Sequence, residues 1–143
     1  MLFTQRPANF AKNPQVIVTN AIIYMGRVLV LKRSPHKPHG SKWCLPGGKC
    51  EDDTQRASEA LRELKDETGV VYYKSDIVGS CAWFLRYPEA DYIYEQFVYR
   101  PMELPEVVVN QEEHYQHQWA NWVELLCMNF IEDLDGVLVD LLT

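Results

Sequence analysis

The sequence lacks the features that would place it in a specialised class of protein. No apolar run among its 143 residues approaches the ~20 needed to cross a bilayer, and the first residues lack the apolar core of a signal peptide. Neither an internal repeat nor a low-complexity tract is present. We therefore expect a compact, cytoplasmic protein.

Cysteine pairs and a surplus of positive charge are also missing. The four cysteines contain no C-x2-C pair, which argues against a zinc site or a disulfide framework, so we expect reduced thiols. The net charge is -6, whereas proteins that bind nucleic-acid polymers usually have a positively charged surface. No such polymer is expected as a partner, whereas a small anionic substrate can bind through a metal ion.

Length and composition indicate one domain. A chain of 143 residues, 47% of them hydrophobic, is long enough for one hydrophobic core. We expect residues 1–14, with Pro7 and Asn9, to form an N-terminal arm and residues 15–143 to form the single domain. Whether two copies form a homodimer stays open.

Residues 47–70 predict a glycine turn followed by a two-faced helix. Small and apolar residues recur at the i, i+3, i+4 spacing that stacks side chains on one side of a helix, which should pack on a core. They are Ala57, Ala60, Leu61, Leu64 and Thr68. We expect Asp53 or Thr54 to cap the helix start, and Gly69 suits the left-handed residue after its end.

The opposite side of this helix is predicted to be exposed and acidic. Its carboxylates are Glu59, Glu63, Asp66 and Glu67. The glutamates follow an i, i+4 ladder, in which each pair of like charges costs roughly 0.2–0.5 kcal/mol in an isolated helix. Arg62 and Lys65 would offset part of this repulsion. A divalent cation such as Mg2+ would do so more fully because it prefers carboxylate oxygens; a merely solvated acidic face is the alternative.

The same stretch resembles the signature of the Nudix hydrolases, G-x5-E-x7-R-E-U-x-E-E-x-G-U, in which U is aliphatic. The matching residues are Gly48, Arg62, Glu63, Leu64, Glu67, Gly69 and Val70. Two positions depart from it: Thr54 replaces the first Glu and removes its charge, whereas Asp66 replaces the first of the paired glutamates and keeps a carboxylate.

The resemblance implies a Nudix-like α/β/α sandwich with a mixed central sheet, and an enzyme that uses Mg2+ or Mn2+. The implied reaction is hydrolysis of a pyrophosphate bond in a nucleoside diphosphate linked to a group X. Glu63 and Glu67 would be the principal metal ligands, assisted by Asp66 and the Gly48 carbonyl, while Arg62 orients Glu63. A nucleoside triphosphate is the first candidate substrate because the chain is short; dinucleoside polyphosphates and nucleotide sugars stay open.

A module that binds a nucleotide without cleaving it is the alternative function. Thr54 favours this alternative, whereas the retention of Arg62, Glu63 and Glu67 opposes it.

Residues 113–119 resemble an E-H-x4-W element that follows the signature in many Nudix enzymes. There the Glu faces the metal site as an extra ligand or base; Glu113 matches it, and Glu112 is the alternative. His114 and His117 could form a transition-metal pair, but surface or structural roles are favoured for both.

Candidate substrate contacts come from a basic loop and from aromatic strands. Arg33 and Lys37 border or lie in the loop over residues 34–42 and could meet phosphates, as could Lys32 and Lys42. Tyr87 is a candidate for stacking on a nucleobase, although core packing is the usual role of such residues. We expect Trp43 to pack rather than stack.

The remaining periodicity predicts strands and two further helices. Residues 16–24 should form a strand buried on both faces, with residues 28–33 as its hairpin partner. Residues 77–87 and 92–100 should form a second hairpin. A short helix is predicted from residue 122, and a terminal helix over residues 129–142 should cover the sheet.

Overall fold

The four predicted strands and two of the predicted helices occur in the predicted order, and four further strands that were not predicted join them. The computed structural model describes residues 1–131. Its strands are β1 Leu2–Phe3, β2 Gln15–Tyr24, β3 Arg27–Arg33, β4 Trp43–Cys44, β5 Gly47–Cys50, β6 Ile77–Arg86, β7 Asp91–Tyr99 and β8 His114–Ala120. Its helices are α1 Arg56–Thr68 and α2 Trp122–Cys127, and short 3-10 turns at Asp53–Gln55 and Lys74–Asp76 precede α1 and β6.

The strands of the described residues form a mixed, eight-stranded sheet that divides at β2. β2 pairs in parallel with β7 and, over its first half, antiparallel with β5. β3 pairs only with the end of β2 and then with β4 and β8. One branch of the sheet therefore contains β5 and the other contains β4 and β8.

β2 is buried on both faces, as its continuous apolar run predicts. Val18 packs in one cluster with Leu64 of α1, and Ala21 packs in another with Leu125 of α2. Since successive side chains of a strand point to opposite faces, α1 and α2 cover opposite faces of the sheet. This arrangement confirms the predicted α/β/α sandwich.

The start of α1 differs from the prediction, whereas its end agrees. Asp52 caps the 3-10 turn that precedes α1: its Oδ1 accepts the Thr54 N–H at 3.0 Å and the Thr54 hydroxyl at 2.6 Å. The predicted cap at Asp53 or Thr54 is wrong because both residues lie inside this turn, and Gln55, which directly precedes α1, makes no side-chain capping bond. Gly69 has a φ of 73° and donates its N–H to the Lys65 carbonyl, as expected.

Other predictions concern the hairpins and the chain ends. β6 and β7 form the predicted antiparallel hairpin, and Trp43 is buried in the core. Residues 1–14, predicted to form an arm, contact the domain where Leu2 and Phe3 pair with β6.

The helix predicted over residues 129–142 lies outside the described residues apart from its first three, where Phe130 forms a bridge with Trp43. No helix within residues 1–131 has both the length and the apolar character of a membrane span.

Candidate metal centre

Glu67 lies at the centre of the site and is buried, with 3% of the residue exposed. Its Oε2 accepts the N–H of Gly47 at 3.0 Å, and its Oε1 lies 3.5 Å from Nδ1 of His114. Its carbonyl accepts the N–H of Asn110 at 2.9 Å. The prediction of an exposed Glu67 is wrong because β5 and the segment before β8 cover this end of α1.

The charge of Glu67 is unfavourable where it lies. Burial, followed by the nearby carboxylates of Glu63 and Glu113, raises the pKa of Glu67 to about 9, while the N–H of Gly47 acts in the opposite direction. A buried carboxylate needs a balancing positive charge or a proton. The cluster therefore fits a divalent cation, which prefers oxygen ligands.

Glu63 approaches the glycine turn closely. A Cβ atom at Gly48 would lie 3.1 Å from the Glu63 carboxyl carbon, so the absence of a side chain leaves room for this carboxylate. A Cβ atom at Gly47 would lie 2.1 Å from the Val18 carbonyl oxygen. Gly47 thus permits the pairing of β5 with β2, and Gly48 permits the approach of Glu63.

Arg62 contacts three carboxylates on the outer side of α1. Its guanidinium nitrogens lie 3.3 Å from Glu63, 3.4 Å from Asp66 and 3.8 Å from Glu59. The side chains of Arg62 and Asp66 are 53% and 56% exposed, so each pair contributes little to stability. Asp66 therefore lies at the solvent edge of the cluster.

Glu59 binds the loop before α1. Its carboxylate accepts the backbone N–H groups of Glu51 at 3.0 Å and Asp52 at 2.6 Å, and the Cys50 thiol at 3.1 Å. The Glu51 N–H and the Cys50 thiol are the main causes that lower the pKa of Glu59. The first carboxylate of the predicted ladder thus holds the connection from β5 to α1.

Glu113 and His114 enter the site from the turn before β8. Ligand atoms of Glu67, Glu113 and His114 all lie within 4.8 Å of one another. Glu112 is not part of this group, and its N–H donates to the Asn110 side chain at 3.0 Å. Of the two candidate glutamates, the structure therefore brings Glu113 to Glu67.

Asn110 is a positioning residue that sequence reasoning missed. Its N–H and carbonyl connect Glu67 with the backbone N–H of His114, at 2.9 and 3.2 Å. The side chain of an Asn at the start of a turn commonly accepts a hydrogen bond from the backbone N–H two residues later, as Asn110 does from Glu112. This turn preference is the sequence signal that could have identified Asn110.

His114 is 1% exposed and contacts Cys44, with 3.5 Å between Nε2 and the Cys44 sulfur. Burial, with a smaller effect of Arg33, lowers the pKa of His114 to about 4. Burial also raises the pKa of the Cys44 thiol to about 12, so the thiol stays protonated. His117 does not join them: it is exposed, pairs with Leu31 beyond an irregularity in the β3–β8 register, and is not part of the group that Glu67, Glu113 and His114 form.

The three predicted substrate residues lie in different parts of the structure. Arg33 is the cross-strand partner of His114 and donates Nε–H to the Pro38 carbonyl at 2.8 Å. Lys37 follows in the loop, where its N–H donates to Ser34. Tyr87 packs at the β6–β7 hairpin, with its ring 5.9 Å from that of Tyr92. Arg33 is thus close to the site, whereas Lys37 lies in the loop over residues 34–42 and Tyr87 at the β6–β7 hairpin.

The NUDIX domain model matches residues 14–138. None of the curated proteins matches the chain in sequence.

Many solved structures match, and three illustrate the range. A MutT protein from Methanosarcina mazei Go1 has a TM-score of 0.72 at 24% identity, over 92% of this chain and 95% of that chain. A C. elegans Ap4A hydrolase has a TM-score of 0.70 at 15% identity, over 87% and 92%. The NUDIX domain of Shewanella oneidensis NrtR, complexed with ADP ribose, has a TM-score of 0.70 at 21% identity, over 95% and 96%. At these identities the likeness establishes the fold.

Proposed function

The chain belongs to the Nudix family of pyrophosphohydrolases, and we propose that it hydrolyses a pyrophosphate bond in a nucleoside diphosphate linked to a group X, with Mg2+ or Mn2+ as cofactor. The observation that carries this proposal is the convergence of Glu63, Glu67 and Glu113 beside Gly48, where the buried Glu67 needs a positive charge.

Each residue of the cluster has a proposed role. Glu63, Glu67 and Asp66, with the Gly48 carbonyl, would hold the cation. When bound, the cation neutralises phosphate oxygens and makes a water molecule more acidic.

The remaining groups of the site orient these carboxylates or act on the water. The Gly47 N–H orients Glu67, and Arg62 orients Glu63 at 3.3 Å. Glu113 is exposed next to Glu67 and would accept a proton from the attacking water or add a ligand.

A nucleoside triphosphate is the first candidate substrate, because the chain is short. Arg33 would contact phosphate, a proposal supported by its pairing with His114. Lys37 and Tyr87 are proposed for phosphate and nucleobase on the basis of charge and aromatic character alone. Structural neighbours that include an Ap4A hydrolase and a domain complexed with ADP ribose make dinucleoside polyphosphates and ADP-ribose the next candidates.

A substrate screen tests the proposal directly. The protein would be incubated with nucleoside triphosphates, Ap4A and ADP-ribose, each with Mg2+ or Mn2+, and monophosphate, phosphate and pyrophosphate would be quantified. Reaction in 18O-labelled water then identifies the attacked phosphorus, because the label enters that product. We expect turnover of at least one compound that depends on the cation.

The matched variants are Glu67→Gln and Glu103→Gln. Losing the Glu67 charge should lower kcat by roughly 10^2–10^4, whereas Glu103 is exposed and is not part of the carboxylate and histidine cluster, so its substitution should not matter. Binding of a nucleotide without turnover would favour the alternative of a nucleotide-binding module, which Thr54 supports. Native turnover by Glu67→Gln would overturn the assigned site.

A further inference from the structure

Nδ1 of His114 is a buried polar atom without a hydrogen-bond partner. The nearest carboxylate oxygen, Oε1 of Glu67, lies 3.5 Å away and is not aligned for a hydrogen bond. A buried polar atom in this condition normally destabilises a protein. The arrangement is therefore complete only if something else occupies the space that Nδ1 faces.

The other ring nitrogen indicates what that group is. Nε2 lies 3.5 Å from the Cys44 sulfur, within the range of a hydrogen bond to sulfur. A neutral imidazole has one N–H and one lone pair. If Nε2–H donates to the sulfur, the lone pair is at Nδ1 and faces the Glu67 carboxyl group at 3.5 Å, so whenever Glu67 is charged two electron-rich groups face each other.

A cation between these groups satisfies both. We propose that Nδ1 of His114 is a direct ligand of the divalent cation, together with Glu67 and Glu113, and that Cys44 orients the imidazole through Nε2–H. This inference rests on the proposed function, because the cation is the one that the hydrolysis requires. It adds a nitrogen donor to the oxygen ligands that the signature implies.

A nitrogen ligand changes which metal the site selects. Imidazole suits transition metals, whereas Mg2+ prefers oxygen ligands and keeps several waters. The site should therefore bind Mn2+ or Co2+ more tightly than Mg2+. A carboxylate-only site at the same position would discriminate less between them.

Pulsed electron paramagnetic resonance of the Mn2+-loaded protein tests the ligand directly. A coordinated imidazole gives nitrogen modulation of the Mn2+ echo. The chain has four histidines, and His36, His39 and His117 are exposed. A tag-free variant with His36→Gln, His39→Asn and His117→Gln leaves His114 as the sole imidazole without altering the core; Asn suits position 39, where φ is 58°.

We expect the nitrogen signal to persist in this triple variant and to disappear in His114→Gln. Calorimetric titration should show Mn2+ affinity reduced by about 10–100-fold or more in His114→Gln, with a smaller loss for Mg2+. Cys44→Ala should weaken Mn2+ binding less than His114→Gln does. If His114→Gln fails to fold, the presence or absence of the nitrogen signal in the triple variant decides whether His114 is a ligand.

The outcomes separate this inference from the proposed function. A triple variant that binds Mn2+ without the imidazole signal overturns the role of His114, even if hydrolysis with Mg2+ is intact. Conversely, an imidazole signal in a protein that hydrolyses none of the nucleotides supports the ligand and contradicts the hydrolase proposal.

Discussion

At the scale of single residues, Glu67 is where the needs of stability and of cation binding conflict. The residue is 3% exposed beside two other carboxylates, so it is neutral near pH 7 in the metal-free protein. Packing would favour an uncharged residue there. The presence of an acid at this position is best explained by the cation that we propose.

In the metal-free protein, stability should decrease as pH rises above neutral, and Glu67→Gln should reduce this decrease. The pKa of Glu67 is raised from 4.5 to about 9 on folding, so between these values the folded state keeps a proton that the unfolded state has released. Stability therefore falls as pH rises across this window, with a slope of at most about 1.4 kcal/mol per pH unit for one proton.

Urea unfolding at pH 6.5, 8 and 9 with a chelator measures this effect. The range begins at pH 6.5 because His114, whose pKa is lowered from 6.5 to about 4, changes stability in the opposite direction below it. Wild type and the Glu103→Gln control should lose stability, and Glu67→Gln should lose less. Parallel curves for all three proteins would contradict the assigned burial of an acid.

At the scale of elements, the β5 turn and α1 act together to form the oxygen-rich side of the site. Gly47 is packed against the backbone of β2, and Gly48 is packed against the Glu63 carboxylate. Glu59 holds the connecting loop through two backbone N–H groups. Adjacent residues of one turn should therefore respond differently to the same substitution.

Alanine at Gly47 should damage the fold, and alanine at Gly48 should damage the site. The first Cβ would lie 2.1 Å from the backbone oxygen of Val18, an overpacking that should lower stability by about 1–3 kcal/mol or more. The second would meet the end of the flexible Glu63 side chain at 3.1 Å, which can move. We expect Gly48→Ala to weaken cation binding by about 10–100-fold.

Denaturant unfolding and Mn2+ titration of both variants measure the two effects. Gly79→Ala is the matched control, since its Cβ would contact nothing within 4 Å. Equal losses of stability in Gly47→Ala and Gly48→Ala would show that the two glycines are not specialised as we describe.

At the scale of the whole molecule, the site joins the two branches of the divided sheet. Gly47 and Gly48 belong to the branch with β2 and β5, whereas His114 begins β8 on the branch with β3. Glu63 and Glu67 of α1 lie between them. A cation held by all three parts should stabilise the entire domain rather than one element.

Millimolar Mn2+ or Mg2+ should raise the melting temperature in the absence of substrate. A ligand that binds only the folded state stabilises it by about 2.7 kcal/mol at one hundred times its dissociation constant, which corresponds to several degrees for a domain of this size. Glu63→Ala should show a smaller shift, and Glu103→Gln the full shift. A wild-type midpoint that neither metal moves would argue against the cation site.

The local features of this protein were determined by its sequence alone. The apolar face of α1, the left-handed Gly69, the strands β2, β3, β6 and β7 and the short α2 follow from periodicity and turn chemistry, which act between near neighbours in the chain. The spacing from Gly48 to Val70 indicated the family, and with it the sandwich and the carboxylates of α1. The cap was missed by one or two positions because the 3-10 turn before α1 is not encoded in helical periodicity.

Only the tertiary structure decided which of these residues meet. The burial of Glu67, the choice of Glu113 over Glu112, and the contacts of His114 with Cys44 and Glu67 all join segments that are remote in sequence. An isolated helix leaves Glu67 in water, and nothing in its own periodicity records that β5 and the turn before β8 will cover it. The environment that sets the pKa of an acid is created by such packing, so the chemistry of the site depends on the fold as well as on its residues.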